Sequence, residues 1–144
     1  WENPEASAAA LDGGWFHTGD GGTYEDGYVT IADRKKDVIV TGGENVYSAE
    51  VESAISKHEA VAQVAVIGIP DEYRGQSPKA FVALKPGAAA FTLQELQAFL
   101  KDKIGKHEMI QALEIRDALP KTPIGKLSKK DLIDEEARKR AASA

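Results

Sequence analysis

Apolar and polar positions in this chain fall into short blocks, and the period of the blocks switches at turn residues. Tyr28-Val29-Thr30-Ile31 and Val38-Ile39-Val40 are short β-branched or aromatic runs beside glycine turns, and they read as strands. Trp15-Phe16-His17-Thr18 has the same character. With the Glu25-Asp26-Gly27 turn it predicts a hairpin against 28–31. Residues 61–69 are rich in Val and Ile and end at Pro70-Asp71, residues 79–84 end at Pro86-Gly87, and 112–116 forms a third run. These predict three further strands. Helical spacing appears in three places. Val51, Ala54 and Ile55 follow Ser48, a candidate cap. Leu93, Leu96, Leu100 and Ile104 follow the capping box of Thr92 and Glu95, with Gly105 as the stop. Ser128 caps a last helix, with Asp131 in the box position.

From about residue 37 the order is strand, strand, helix, strand, strand, helix, strand, loop, helix. This predicts an α+β fold, a small domain in which a short β-hairpin and a three-stranded sheet are packed by helices. Residues 1–14 are small, polar and Gly-rich and read as a connecting segment. The front hairpin cannot bury a core on its own, so it needs the rest of the chain or a missing partner.

Composition narrows the function classes. The 144 residues suit one domain, or one domain with a fragment. A hydrophobic share of 42% with 28% charged is ordinary for a globular chain. The net charge of -5 argues against nucleic acid or an anionic membrane as partner. Absence of cysteine removes disulfides and thiolate metal sites and fits a reducing compartment, so a cytoplasmic location is the expectation. His17, His58 and His107 have no metal-ligand spacing, and no metal is expected on this chain's own residues. No apolar run reaches the ~20 residues of a transmembrane helix. Residues 1–5 lack a signal peptide's basic start and apolar core, and an opening without Met suggests part of something longer.

Three stretches carry candidate chemistry. Asp33-Arg34-Lys35-Lys36-Asp37 is charged at every position; from charge alone it is a solvated connector. Gly42-Gly43-Glu44-Asn45 permits a tight hairpin or the close approach of a ligand to bare backbone. Pro120-Lys121-Thr122-Pro123-Ile124-Gly125-Lys126 is a loop, with Lys126 just ahead of the last helix. It is not a Walker A loop, since Leu127 follows the lysine and the first glycine is missing.

Together these stretches resemble the C-terminal part of the AMP-forming acyl-CoA synthetases, in the adenylate-forming superfamily that also holds luciferases and peptide-synthetase adenylation domains. Trp15-Phe16-His17-Thr18-Gly19-Asp20 is similar to the family's aromatic-x-x-Thr-Gly-Asp motif. Residues 27–52 resemble its linker and early C-terminal motif, and 120–126 its terminal Pro-Lys-Thr-x-x-Gly-Lys motif. The resemblance implies residues 1–35 as the tail of a large adenylating domain and 36–144 as a mobile C-terminal domain. It implies ATP, CoA and Mg²⁺ as cofactors, the last held mainly by the missing domain, and a carboxylic acid, expected to be a fatty acid, as substrate.

Roles follow from the same resemblance. Asp20 would accept hydrogen bonds from the ribose hydroxyls of ATP, and Arg34 would contact the ribose and phosphate side. Lys36 would be the hinge, and Lys126 the catalytic cation of adenylate formation. The Gly42, Gly43 and Glu44 turn would face the CoA thiol. Glu50 reads as structural. Two departures stand out: Ser48 replaces a common Pro, expected to alter the helix cap and little else, and Lys106-His107-Glu108-Met109-Ile110 replaces the usual wording along the CoA path. The fragment alone is expected to be inactive. The rival expectations are a carrier-protein or other acceptor, and a non-catalytic binding or assembly module of the same fold. The exposed hairpin edge also leaves a homo-oligomer open.

Overall fold

The computed structural model describes residues 2–143 and divides into two compact units, one ending at Lys36 and the other beginning at Asp37. In the first unit, α1 (Pro4–Ala10) starts where the Asn3 side chain accepts a hydrogen bond from the Ala6 N–H at 3.0 Å. The segment expected to be a connector therefore carries a short helix. Two antiparallel strands follow, β1 (Asp20–Glu25) and β2 (Tyr28–Arg34).

The aromatic run 15–18 is not a strand. Pairing counts back from the two-residue turn at Asp26-Gly27, whose φ angles of 51° and 86° are left-handed. From Glu25 opposite Tyr28 the ladder reaches Asp20 opposite Arg34. The chain beyond Arg34 leaves the ladder, so 15–18 has nothing to pair with. Register fixed by the turn overrides the propensity of the aromatic run. No described residue of this unit is buried, and Trp15 and Phe16 are 79% and 69% exposed.

The second unit holds one five-stranded sheet. Its strands are β3 (Val38–Thr41), β4 (Glu44–Tyr47), β5 (Val61–Asp71), β6 (Gly75–Leu84) and β7 (Ala112–Arg116). The expected hairpin and three-stranded sheet are both present, and the pair Thr41 with Gly75 joins them into one sheet. β6 is central: β5 runs antiparallel on one side, and β7 runs parallel on the other. Pro78 within β6 is tolerated because its backbone faces the side where β7 has not yet begun. Its carbonyl accepts from Gln111 N, one residue ahead of the β7 ladder.

The helices are α2 (Ser48–Ser56), α3 (Leu93–Leu100) and α4 (Lys129–Ser143). Alternation along β5 and β6 sends side chains to two cores. Val66, Ala80 and Val82 join Val51 and Ile55 of α2 and Leu96 and Leu100 of α3. Ala65, Ile67, Phe81 and Ala83 join Leu119 and Leu132 of α4. The architecture is α+β, and with both faces of the central strands covered, the strands read as unbroken apolar runs.

The caps divide. Thr92 and Glu95 form the expected box, with Thr92 N–H on Glu95 Oε2 at 2.7 Å and Glu95 N–H on Thr92 Oγ1 at 3.3 Å. Ser128 Oγ accepts from Asp131 N at 3.4 Å. Ser48 does not cap α2; Tyr47 holds the cap position without a side-chain bond. Gly105 is not a left-handed stop either, since its φ is −67° and its N–H is held by Glu108 Oε2 at 2.6 Å.

Among the described residues of α4 only Leu132 is fully buried, so charges complete its docking. Lys79 contacts Glu114 at 2.8 Å and Glu136 at 2.9 Å. Arg116 takes both oxygens of Glu135, at 2.9 and 2.7 Å. Lys139 reaches Glu114, Glu135 and Glu136 at 3.2, 3.0 and 3.0 Å. Burial pushes the Glu114 carboxyl up, but hydrogen bonds from Lys79, Arg116 and Lys139 outweigh it and hold it at about 2. Arg116, then Lys139, hold Glu135 at about 2 as well.

Both carboxyls are depressed on folding from the ordinary 4.5. Unfolded chains bind these protons first, so their stabilisation is present at neutral pH and lost as pH falls from 4.5 towards 2. Chemical denaturation across pH should show a level free energy of unfolding above about pH 5 and a decline through that window. Glu114→Gln should flatten part of the decline.

Candidate functional site

The loop before α4 is built around Thr122. Its carbonyl accepts from Gly125 N at 2.8 Å, its N–H donates to the Lys126 carbonyl at 2.6 Å, and its Oγ1 accepts from Lys126 N at 3.2 Å. Pro123 and Gly125 stand second and fourth in this turn, the places that favour them in a type I turn. Lys121 bridges Leu127, and Ser128 N donates to the Pro120 carbonyl at 2.9 Å. Both backbone groups of Lys126 are therefore tied to Thr122. Its side chain is exposed, and among the described residues its ammonium makes no hydrogen bond or ion pair. The result is an exposed cation, without a partner among the described residues, on a backbone held by Thr122.

Gly42 and Gly43 form the two-residue turn between β3 and β4, with φ of 58° and 87°. Left-handed angles at both places are what a type I′ hairpin requires, and glycine takes them without strain. Gly42 N donates to the Arg74 carbonyl at 2.9 Å, which fastens this turn to the one between β5 and β6. A Cβ at either glycine would meet no atom within 4 Å, so the outer face of the turn is open. Glu44 begins β4, and its carboxylate lies 3.8 Å from His107 Nδ1.

Asp20 and Arg34 are register partners across β1 and β2, and Arg34 Nε lies 3.5 Å from Asp20 Oδ1. Thr18 Oγ1 accepts from Asp20 N at 3.1 Å, which sets the approach to the strand. Lys36 is exposed in the one-turn 3-10 segment Lys35–Asp37, as the last residue of the first unit. The structure thus brings Asp20 and Arg34 together on one hairpin and Glu44 beside His107. Among the described residues no hydrogen bond or ion pair joins Lys126 to Gly42, Gly43 or Glu44. Among them, too, no three His, Asp or Glu side chains gather where a metal ion could sit.

The chain matches AMP-binding enzyme C-terminal domain over residues 50–126. It belongs to that family. A long-chain-fatty-acid–CoA ligase of Bacillus subtilis (strain 168) is 48% identical to this chain over 137 residues, covering 94% of this chain and 24% of the relative. A fatty acid–[acyl-carrier-protein] ligase, ScoC of Streptomyces coeruleorubidus, is 41% identical over 135 residues, covering 93% and 26%. The solved o-succinylbenzoate CoA synthetase of Bacillus subtilis, in complex with its acyl-adenylate intermediate, superposes with a TM-score of 0.83 at 33% identity, covering 91% and 27%. The chain spans about a quarter of the length of the curated relatives it matches.

One contact, that of Lys129 with Ser48 and Glu52, escaped the reading of the sequence. Lys129 Nζ donates to Ser48 Oγ at 2.6 Å and pairs with Glu52 Oε1 at 2.8 Å, tying the start of α4 to the start of α2. Ser48, expected to alter only a cap, serves this contact instead. The available signal was the charge itself: a lysine in the first turn of a helix opposes the helix dipole and calls for a partner.

Because the space around Gly43 is open, a substitution there is opposed by backbone strain alone. Gly43→Ala should lower the free energy of unfolding by about 1–2 kcal/mol. Gly42→Asn should cost less, since asparagine tolerates left-handed angles. Urea denaturation of the two variants is the measurement.

Proposed function

We propose that this domain is the mobile C-terminal part of an AMP-forming ligase that converts a carboxylic acid, ATP and CoA into acyl-CoA, AMP and pyrophosphate. The observation that carries the proposal is the unpaired, exposed ammonium of Lys126 on a backbone-braced loop, in a chain that belongs to the AMP-binding enzyme C-terminal family.

In the first step a carboxylate oxygen attacks the α-phosphorus of ATP, and the bond to pyrophosphate breaks. Negative charge builds on the α-phosphate oxygens. Lys126 stabilises it, and the Thr122 bonds hold the loop so that little reorganisation is needed. Asp20 accepts the two ribose hydroxyls, and Arg34, poised beside it, lies on the ribose and phosphate side. In the second step the CoA sulfur attacks the acyl carbon, AMP leaves, and the thiol proton passes to solvent. The Gly42-Gly43 turn suits this step because bare backbone admits the pantetheine arm closely. The division of the chain after Lys36 supports that residue as the pivot between the two arrangements. On this reading residues 1–35 belong to the adenylating domain and 36–144 to the mobile one, and the chain by itself releases no pyrophosphate.

The relatives support a fatty acid as one substrate class and leave an aryl acid as another. The fatty acid–[acyl-carrier-protein] ligase favours a second reading, in which a carrier-protein thiol takes the place of CoA. Consumption of CoA during turnover by the full-length protein separates the two acceptors.

Lys126→Ala in the full-length protein should lower acid-dependent ATP–pyrophosphate exchange by about 10²–10³-fold, the usual cost of losing one electrostatic donor. Thioester formation from supplied acyl-adenylate should be retained. Normal exchange by this variant would refute the role of Lys126.

A further inference from the structure

We infer that Lys129 is a positioning residue for Lys126, bracing the loop of the first step against the helix that follows the hairpin of the second. This rests on the proposed role of Lys126.

Lys129 is the first residue of α4 and stands three places after Lys126. Its side chain is mostly covered, at 19% exposure, and the ammonium contacts Ser48 Oγ at 2.6 Å and Glu52 Oε1 at 2.8 Å. Ser48 and Glu52 lie four apart, one turn from each other on the same face of α2. Glu52 Oε1 also accepts from Val66 N at 2.7 Å, so the carboxylate is fixed to β5 and offers Lys129 a stationary partner. α2 starts where β4 ends, and β4 starts at the Gly42-Gly43 turn. One lysine thus joins two functional loops across 81 residues of sequence.

The contact is placed where helix physics opposes it. A cation at a helix N-terminus meets the positive end of the dipole, and fixing a long side chain costs entropy. Ser48 and Glu52 must offset both. Leu132 anchors the end of the first turn, the Ser128 cap closes its start, and the Arg116–Glu135 pair holds α4 further along; Lys129 adds the tie from the start of α4 to α2. The Gly42-Gly43 hairpin is secured separately, through its ladder to β3 and the Arg74 carbonyl. Loosening the brace should therefore release Lys126 and spare the hairpin.

The test separates the half-reactions in the full-length protein. For Lys129→Met the kcat of ATP–pyrophosphate exchange should fall about 10- to 100-fold, the scale expected when a reacting group is misplaced by about 1 Å. KM for ATP and acid should stay within about twofold, and so should transfer to CoA from supplied acyl-adenylate. Lys129→Arg should restore most of the rate, and Ser48→Ala, which keeps the Glu52 pair, should give a smaller loss confined to the first step. Exchange near the wild-type rate in Lys129→Met, alongside a crippled Lys126→Ala, overturns the brace and leaves the proposed function standing. Equal losses in both steps for Ser48→Ala make the contact merely structural and overturn it too. Normal exchange in Lys126→Ala overturns the proposed function, and this inference falls with it.

Discussion

The second unit depends on the burial of β6 from both sides. Its alternate residues serve different partners: Ala80 and Val82 face the core of α2 and α3, while Phe81 and Ala83 face the core of Leu119 and Leu132. A strand in that position leaves little freedom to what packs on it, because a shift of one residue would exchange the two faces. The placement of α4 follows. Its single buried leucine is a small apolar anchor, and the Lys79, Glu114, Arg116, Glu135, Glu136 and Lys139 contacts supply direction that one leucine cannot. Guanidinium stacking adds to this, with Arg116 Cζ 4.7 Å from the centre of the Phe81 ring. Since the Lys126 loop enters α4 directly, the position of its lysine is inherited from the central strand.

Much of this was legible in the residues. The apolar runs of β5, β6 and β7 are bounded by turn residues, and the helical spacing of Leu93, Leu96 and Leu100 belongs to α3. These signals survive because burial and period act locally. What was not legible depends on partners far away in sequence. Trp15-Phe16-His17-Thr18 has strand composition but no neighbour in register. Ser48 has the chemistry of a helix cap, yet its hydroxyl faces Lys129, 81 positions on. Gly105 looks like a helix stop, but a Cβ there would lie 2.8 Å from the His107 ring, so its small size is used for close approach rather than for left-handed angles. Of the candidate site, the two-glycine turn and the Lys126 loop were readable because turn chemistry is local. The pairing of Asp20 with Arg34 was not, because the register of β1 was misplaced at the aromatic run.

The first unit presents the opposite physics. It has hairpin geometry, a bulge at Gly21-Gly22 and a short capped helix, but no buried side chain among its described residues. Tyr24, Tyr28, Val29 and Ile31 are all exposed on the two strands. Two strands of this length are marginal in water without a packed face. Large apolar side chains in such a hairpin make sense when another surface covers them, and the curated relatives are about four times as long as this chain. That is consistent with treating Asp20 and Arg34 as half of a site rather than as a finished one.

Lys126 and Lys129 show why residue type alone does not assign a role. They are three positions apart and carry the same charge, one in the loop before α4 and the other at its first residue. Lys126 has its backbone tied by Thr122 and its ammonium without a partner among the described residues; Lys129 has its ammonium held by Ser48 and Glu52. A cation meant to enter and leave a reacting centre must not be neutralised at home, since any protein carboxylate near it would compete with the substrate for the same charge. A cation meant to hold geometry needs the reverse, a fixed carboxylate and a short hydrogen bond. The two demands cannot be met by one side chain, and this loop divides them between neighbours. The backbone bonds at Thr122 complete the division, because they let the loop be rigid without spending the Lys126 ammonium on its own fold.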